Sequence, residues 1–133
     1  MRAAFVRGLT AAARRDPRIM LLTSDLGYKI FDAFAGEFPG RFLNVGVAEA
    51  NMIGVAAGLA LGGMRPFAYS IAPFATLRCL EQIRNDVGFH NLPVRLVGNG
   101  GGYTYGIMGS THHALEDLGA LKGLPNLDRK SVV

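Results

Sequence analysis

The sequence predicts an α/β domain, a three-layer sandwich in which a mainly parallel sheet lies between two layers of helix. Three observations carry that reading. Short unbroken apolar runs, Ile19-Met20-Leu21-Leu22-Thr23 the clearest, lack the alternation of a half-exposed strand and suit strands covered on both faces. Helix-length segments stand between successive runs, which is the connection parallel strands require. Proline and glycine punctuate the joins.

A first helix is expected over residues 2–15, with Ala3, Phe5, Val6, Leu9 and Ala13 facing inward. It stops at Asp16-Pro17, because proline disfavours helix in the residue before it. The strand 19–23 runs into a turn-like Ser24-Asp25-Leu26-Gly27. A short helix over 30–37 ends at Pro39-Gly40, and Phe42-Leu43-Asn44-Val45 is the second strand. The helix-length run 47–61 meets Gly62-Gly63, a stop signal. Residues 66–70 form the third strand. Residues 74–87 are expected as one amphipathic helix with Leu77, Leu80, Ile83, Arg84 and Val87 near one face. Past Pro93, residues 94–97 make the fourth strand and enter a glycine-rich loop, Gly98 to Gly102, followed by Gly109-Ser110-Thr111-His112-His113. A last helix spans 114–122, before Pro125-Asn126. Ligands of such sheets bind beyond the carboxyl ends of the strands. Ser24-Asp25, Gly46 to Glu49, Ser70 to Phe74 and the loop 98–113 should therefore share one rim.

At 133 residues, half of them hydrophobic, the chain suffices for one domain, expected over residues 1–126 with 127–133 as a tail that stops as a truncated chain would. The net charge of +4 comes from scattered residues; Arg14-Arg15 and Arg129-Lys130 are the adjacent basic pairs, so no nucleic-acid-binding stripe is expected. No window reaches the roughly 18 apolar residues of a membrane helix. A lone Cys79 excludes an internal disulfide and suits a reducing compartment, and no Cys/His spacing marks a structural metal. Arg2, Arg7, Arg14 and Arg15 interrupt any secretory core. They faintly suggest a transit peptide, but an amphipathic first helix accounts for them, and the expected location is cytoplasmic.

The foremost functional candidate is Glu49, set in the apolar run from Val47 to Leu61. A helix apolar around its circumference is buried. A carboxylate carried into it must be paired, hydrogen-bonded or protonated. Desolvation raises its pKa and a basic partner lowers it, so Glu49 is placed to share a proton. A structural ion pair with Arg78 or Arg84 is the plainer alternative. Phe74 serves either core packing or a stacking platform. Asp25 is either a turn residue or a site residue. His112 and His113 lie where Thr111 could simply cap a helix. Adjacent histidines rarely ligate one ion, whereas a neutral imidazole carries protons well near pH 7. Gly98 to Gly102 lacks the strand–GxGxxG–helix context of a phosphate cradle and reads as a loop over a cleft.

The segment Asn44-Val45-Gly46-Val47-Ala48-Glu49-Ala50-Asn51-Met52-Ile53-Gly54-Val55-Ala56-Ala57-Gly58-Leu59-Ala60 resembles the pyrimidine-binding domain of transketolases. The likeness continues through Phe74, Arg78, Glu81 to Asp86, Gly109 to His113, Glu116-Asp117-Leu118 and Leu124-Pro125-Asn126, in family order over about residues 1–126. It is closest in kind to stand-alone C-terminal transketolase subunits, which work with a separate N-terminal subunit. The resemblance implies the thiamine-diphosphate-binding fold and specific roles. Glu49 would hydrogen-bond the ring nitrogen of thiamine diphosphate's aminopyrimidine and favour its imino tautomer. Phe74 would stack on that ring, Asp25 would lie near the cofactor, and His112, with His113 beside it, would contact the sugar.

The departures are equally informative. The family's Gly-Asp-Gly…Asn signature, which holds the diphosphate and its Mg2+, is absent from this sequence. The resemblance therefore implies a partner, an N-terminal diphosphate-binding transketolase subunit, in a homodimer or heterotetramer. Met108 stands where the family's substrate-contacting aspartate would be, and a thioether is a poor acceptor for a sugar hydroxyl. An unusual sugar is implied rather than the ordinary ketose phosphate. The implied activity is transfer of a two-carbon ketol unit between sugars. A 1-deoxyxylulose-5-phosphate synthase-like component is an alternative. So is a non-catalytic assembly domain that dimerises through a Gly54/Ala57/Gly58 face.

Overall fold

The computed structural model describes residues 1–128; the Arg129-Lys130 pair and positions 131–133 of the expected tail lie outside them. Four strands, β1 (Ile19–Thr23), β2 (Phe42–Asn44), β3 (Arg65–Ile71) and β4 (Arg95–Asn99), form one sheet in the order β2-β1-β3-β4. Every pairing is parallel, with Leu22 opposite Leu43 and Ala68, and Tyr69 opposite Val97. The parallel sheet with helices on its faces is the architecture expected from the alternation of strand and helix.

Strand side chains alternate between faces, so the adjacent Leu21 and Leu22, both 0% exposed, serve different cores. Leu21 packs with Val6, Leu9 and Ala13 of α1 (Arg2–Arg15) and with Phe31 and Phe34 at α2 (Asp32–Glu37). Leu22 and Ala68 pack with Met52, Ile53, Ala56 and Ala57 of α3 (Glu49–Leu61), and with Cys79, Ile83 and Val87. Phe5 adds a stacked contact on Tyr69, ring centroids 5.7 Å apart. Ala3, expected inside, is exposed, because α1 rests on the sheet along the Val6–Leu9–Ala13 line with Phe5 beside it.

Several expected elements change in extent. The expected helix at 30–37 begins at Asp32, because Phe31 turns into the core ahead of it. The second strand ends at Asn44, whose side-chain oxygen accepts the Gly46 N–H at 3.0 Å and turns the chain towards α3. The α3 run is not buried around its circumference: Asn51, Gly58 and Leu61 are exposed, while Ala57, placed with Gly54 and Gly58 on one expected face, points into the core at 4% exposure.

The expected helix over 74–87 is broken. Pro73 opens a short helix α4 (Ala72–Ala75) directly at the end of β3. The Thr76 hydroxyl donates back to Ala72 O at 2.6 Å beside its own backbone N–H at 3.1 Å, a crowded pairing that bends the chain, and Thr76 itself leaves regular helix with φ −115°. A 3-10 turn Leu77–Cys79, α5 (Leu80–Gln82) and a π-helical turn Ile83–Gly88 follow. The buried line is Cys79, Ile83 and Val87; Leu77 and Leu80 are half-buried and Arg84 is exposed. The last helix, α6 (Asp117–Lys122), starts later than expected because Ala114 instead exchanges two backbone hydrogen bonds with Gly102, at 3.0 and 3.1 Å. That bridge closes the base of the glycine-rich loop.

Candidate active site at the carboxyl rim of the sheet

Parallel strands bring all four carboxyl ends to one rim, and Glu49 sits there as the first residue of α3 rather than inside it. It is 2% exposed. The period-two alternation that sends Leu22 and Ala68 to the α3 face sends Ser24 and Ser70 there as well. Ser24 Oγ lies 3.0 Å and Ser70 Oγ 3.1 Å from Glu49 Oε1, with the two hydroxyls 2.9 Å apart. Glu49 Oε2 takes the Arg78 Nη1 donor at 2.7 Å. Among the described residues no buried side-chain nitrogen or oxygen lacks a partner.

Burial pushes the Glu49 carboxyl upward. The Arg78 hydrogen bond, its own backbone N–H, the Ser24 hydroxyl and the Arg78 charge outweigh it and hold the group below the usual glutamate range. Glu49 is thus ionised at neutral pH in the chain by itself. Of the two cations considered from sequence, Arg78 is the partner; Arg84 donates to Asn85 instead, at 2.8 Å.

Phe74, half-buried at the end of α4, lies beside this carboxylate. The Arg78 guanidinium carbon is 4.2 Å from its ring centroid, and the His112 ring meets it edge-on at 5.0 Å. His112 is also 5.9 Å from Tyr105, and its Nδ1 lies 3.0 Å from the Thr111 hydroxyl. The structure therefore brings Glu49, Phe74 and His112 together, with Arg78 between them. His113 turns the other way. Its Nε2 is 2.9 Å from Gly106 O, so that nitrogen carries the proton, and its ring packs on Tyr103 at 5.0 Å. Asp25 is at the rim but outside the Glu49 network. Its φ of +55° is the left-handed turn that aspartate tolerates, and Asn44 braces it by accepting from its N–H at 2.9 Å and donating to its carboxylate at 3.2 Å.

Sequence reasoning missed Ser24 and Ser70 as holders of Glu49, although the step of two from Leu22 and Ala68 was the available signal. The glycine-rich loop also has more internal structure than expected. Gly100 has φ +80°, a Cβ there would lie 2.2 Å from the Tyr105 ring, and Asn99 Nδ2 donates to the Tyr105 hydroxyl. A surface depression of about 340 Å3 lined by Val6, Arg7, Thr10, Arg14, Ala33 and Glu37 shares no residue with this rim. Among the described residues no group of three or more His, Cys, Asp or Glu is placed to hold a metal ion, and no helix is long and apolar enough to cross a membrane.

The sequence model of the family described as transketolase, pyrimidine binding domain, matches residues 1–130. This chain belongs to the transketolase family. As a transketolase-family chain it is 40% identical over 128 residues to the 6-deoxy-6-sulfo-D-fructose transketolase subunit SqwH of Clostridium sp. (strain MSTE9), covering 96% of this chain and 40% of that one. It is 45% identical over 94 residues to an apulose-4-phosphate transketolase subunit of Actinobacillus succinogenes, covering 71% and 30%. A solved structure described as a split gene transketolase, inactive beta4 tetramer, superposes with a TM-score of 0.82 at 39% identity over 94% of this chain and 40% of that chain. The transketolase-family chain thus spans about 40% of the length of these curated relatives or less.

Proposed function

We propose that this chain supplies the aminopyrimidine-binding half of a thiamine-diphosphate-dependent, transketolase-like site that transfers a two-carbon ketol unit between sugars. The observation that carries the proposal is the convergence of a buried, ionised Glu49 with the half-buried Phe74 ring and His112 on the carboxyl rim. The acceptor set fits a ring whose nitrogen shares a proton with it. A carboxylate oxygen has about two acceptor positions, and Oε2 uses one for Arg78, whereas Oε1 is served by two serines. A planar group already lies over Phe74, so the seat suits a flat, nitrogen-bearing ring.

When bound, thiamine diphosphate supplies the carbanion stabilisation that sugar cleavage needs. This chain's part is to hold and orient. Glu49 keeps a proton at the ring nitrogen, Ser24 and Ser70 fix the carboxyl plane, and Phe74 supports the ring. His112, half-buried at the loop, exchanges a proton with a sugar hydroxyl. His113 and Asp25 are secondary: His113 shapes the loop that presents its neighbour, and Asp25 shapes the turn beyond Ser24. The diphosphate and Mg2+ belong to a separate diphosphate-binding subunit, in a homodimer or heterotetramer, within the cytoplasm. Residues 1–126 form the domain, and Leu127 just after them also packs against its core.

The subunit and split-gene relatives support a two-chain enzyme, and the sulfosugar and apulose phosphate in their names support an unusual sugar. In the complex with the diphosphate-binding subunit, Glu49→Gln should lower turnover by about a hundredfold or more while the assembly persists on size-exclusion chromatography. Unchanged turnover would reject the proton-holding role and leave the non-catalytic assembly reading.

A further inference from the structure

Arg78 makes two contacts at once, and they are the two that the reading proposed above assigns to the cofactor's ring. Its Nη1 donates to Glu49 Oε2 at 2.7 Å, and its planar guanidinium lies 4.2 Å from the Phe74 centroid. The two partners differ sharply in exposure: the Arg78 side chain is 46% exposed, Glu49 2%. The cation therefore approaches the carboxylate from the solvent side and can leave by the same route, while the anion cannot follow. The 3-10 turn Leu77–Cys79 that carries Arg78 is fixed from below by Cys79, which is 0% exposed with its Sγ 3.2 Å from Phe74 O. Movement can thus be confined to the arginine side chain.

We propose that Arg78 is a seat-holder: it occupies the Glu49–Phe74 seat in the unloaded chain and is exchanged for the aminopyrimidine on loading. This rests on the cofactor reading above and deepens it. A guanidinium and an aminopyrimidine share a planar amidine edge, so one can replace the other on a ring face and against a carboxylate. Without the arginine, the unloaded chain would carry an uncompensated buried anion, which is strongly destabilising.

The exchange has a proton consequence. Guanidinium brings N–H donors, but a neutral pyrimidine nitrogen and an ionised carboxylate are both acceptors. When the ring replaces Arg78, one proton must come from solvent to lie between Glu49 Oε2 and the ring nitrogen. The other groups facing Glu49 do not supply it readily. Ser24 and Ser70 are hydroxyls bound to Oε1, Cys79 is a buried thiol pushed up to about 12, and His112 is held across Phe74 rather than against the carboxylate.

The test uses this chain assembled with its diphosphate-binding subunit and thiamine diphosphate as the probe. Calorimetry at neutral pH in buffers of different ionisation enthalpy should show uptake of about one proton on binding to the native complex. Arg78→Met should bind about fivefold tighter or better, as expected where a competing occupant had left the seat open in a fifth of molecules or fewer. Its proton uptake should shrink, because losing Arg78 removes the largest influence that holds Glu49 below its usual range. Where that variant assembles poorly, loaded and unloaded structures of the native complex decide. Arg78 should be beyond hydrogen-bonding distance of Glu49 in the loaded form, with Ser24 and Ser70 unmoved. A loaded structure with the ring on Glu49 and Arg78 still donating to Oε2 overturns the exchange alone. A ring bound away from Glu49 overturns the functional reading with it.

Discussion

Ser24 and Ser70 leave two different strands, β1 and β3, yet their hydroxyls lie 2.9 Å apart and both reach the same oxygen of Glu49. Three oxygens share two hydroxyl protons, so either both serines donate to the carboxylate or Ser24 donates through Ser70. Both arrangements need only that Oε1 accept, so they persist when Oε2 carries a proton. They also fix its plane, which leaves Oε2 as the oxygen turned towards Arg78 and the rim.

Ser24→Ala removes one of these donors at a site 2% exposed. It should cost about 1–3 kcal/mol at neutral pH, as for a buried acceptor deprived of a partner. The Ser24 bond is one of the causes holding Glu49 below its usual range. A depressed native pKa means stability present above the ordinary glutamate value and lost as pH falls through the native one. The native-minus-variant difference in urea unfolding should therefore narrow as pH drops below that ordinary range. A difference that stays constant into acid would mean that the hydroxyl only fills space.

Asp16 carries a second linked titration, away from the site. Arg18 binds its carboxylate through Nε and Nη2, both at 2.9 Å, and Arg65 Nη1 lies 3.2 Å away, joining the α1–β1 turn to the first residue of β3. The Arg18 hydrogen bonds are the main cause that brings Asp16 down to about 2. Its contribution should be complete above the ordinary aspartate value near ~3.9 and vanish as pH falls to about 2. Asp16→Asn should flatten the loss of stability in that window, measured by thermal melts across pH. An identical acid limb in the variant would assign the loss to other carboxylates.

The strands and their parallel order were legible because fully buried strands are written as unbroken apolar runs: Ile19 to Thr23 needs no partner information. Glu49 was legible for the opposite reason, a charge in an apolar stretch. What escaped depended on a single side chain competing with the backbone. Asn44 bends the chain after β2 and moves the start of α3 to Glu49, and Thr76 interrupts what hydrophobic spacing alone writes as one helix. His112 and His113 are indistinguishable as neighbours in sequence. Only the closing of the loop by Gly102 and Ala114 turns one towards Phe74 and the other towards Gly106.

The turn beyond Ser24 is sterically determined at Gly27. Its φ is +86°, and a Cβ there would sit 2.2 Å from the ring of Phe31, a side chain 2% exposed that meets Tyr69 edge-on at 4.9 Å. Gly27→Ala should therefore cost the roughly 1–2 kcal/mol of a left-handed residue plus the displacement of Phe31. Gly36, in α2 with nothing near its would-be Cβ, is the matched control. Gly36→Ala should be neutral or stabilising, since alanine is the better helix former. Equal melting temperatures for the two variants would show that Phe31 yields without loss.

Met108 tests the sugar. It ends the 3-10 turn Gly106–Met108 and is 54% exposed, beside a loop pinned by Tyr105 and by the Gly102–Ala114 bridge. Its side chain therefore contributes little to the fold, and Met108→Asp should leave the melting temperature within a degree or two of native. An aspartate there would restore a charged acceptor for a donor-sugar hydroxyl, worth about 1.5–3 kcal/mol when the hydrogen bond forms. In the complex proposed above, with a diphosphate-binding subunit, kcat/KM for an ordinary ketose phosphate should rise by about tenfold or more, with no matching gain for a donor lacking that hydroxyl. A native complex that already turns over the ordinary ketose phosphate efficiently, or a variant with no gain, would show that donor choice is made by residues other than Met108.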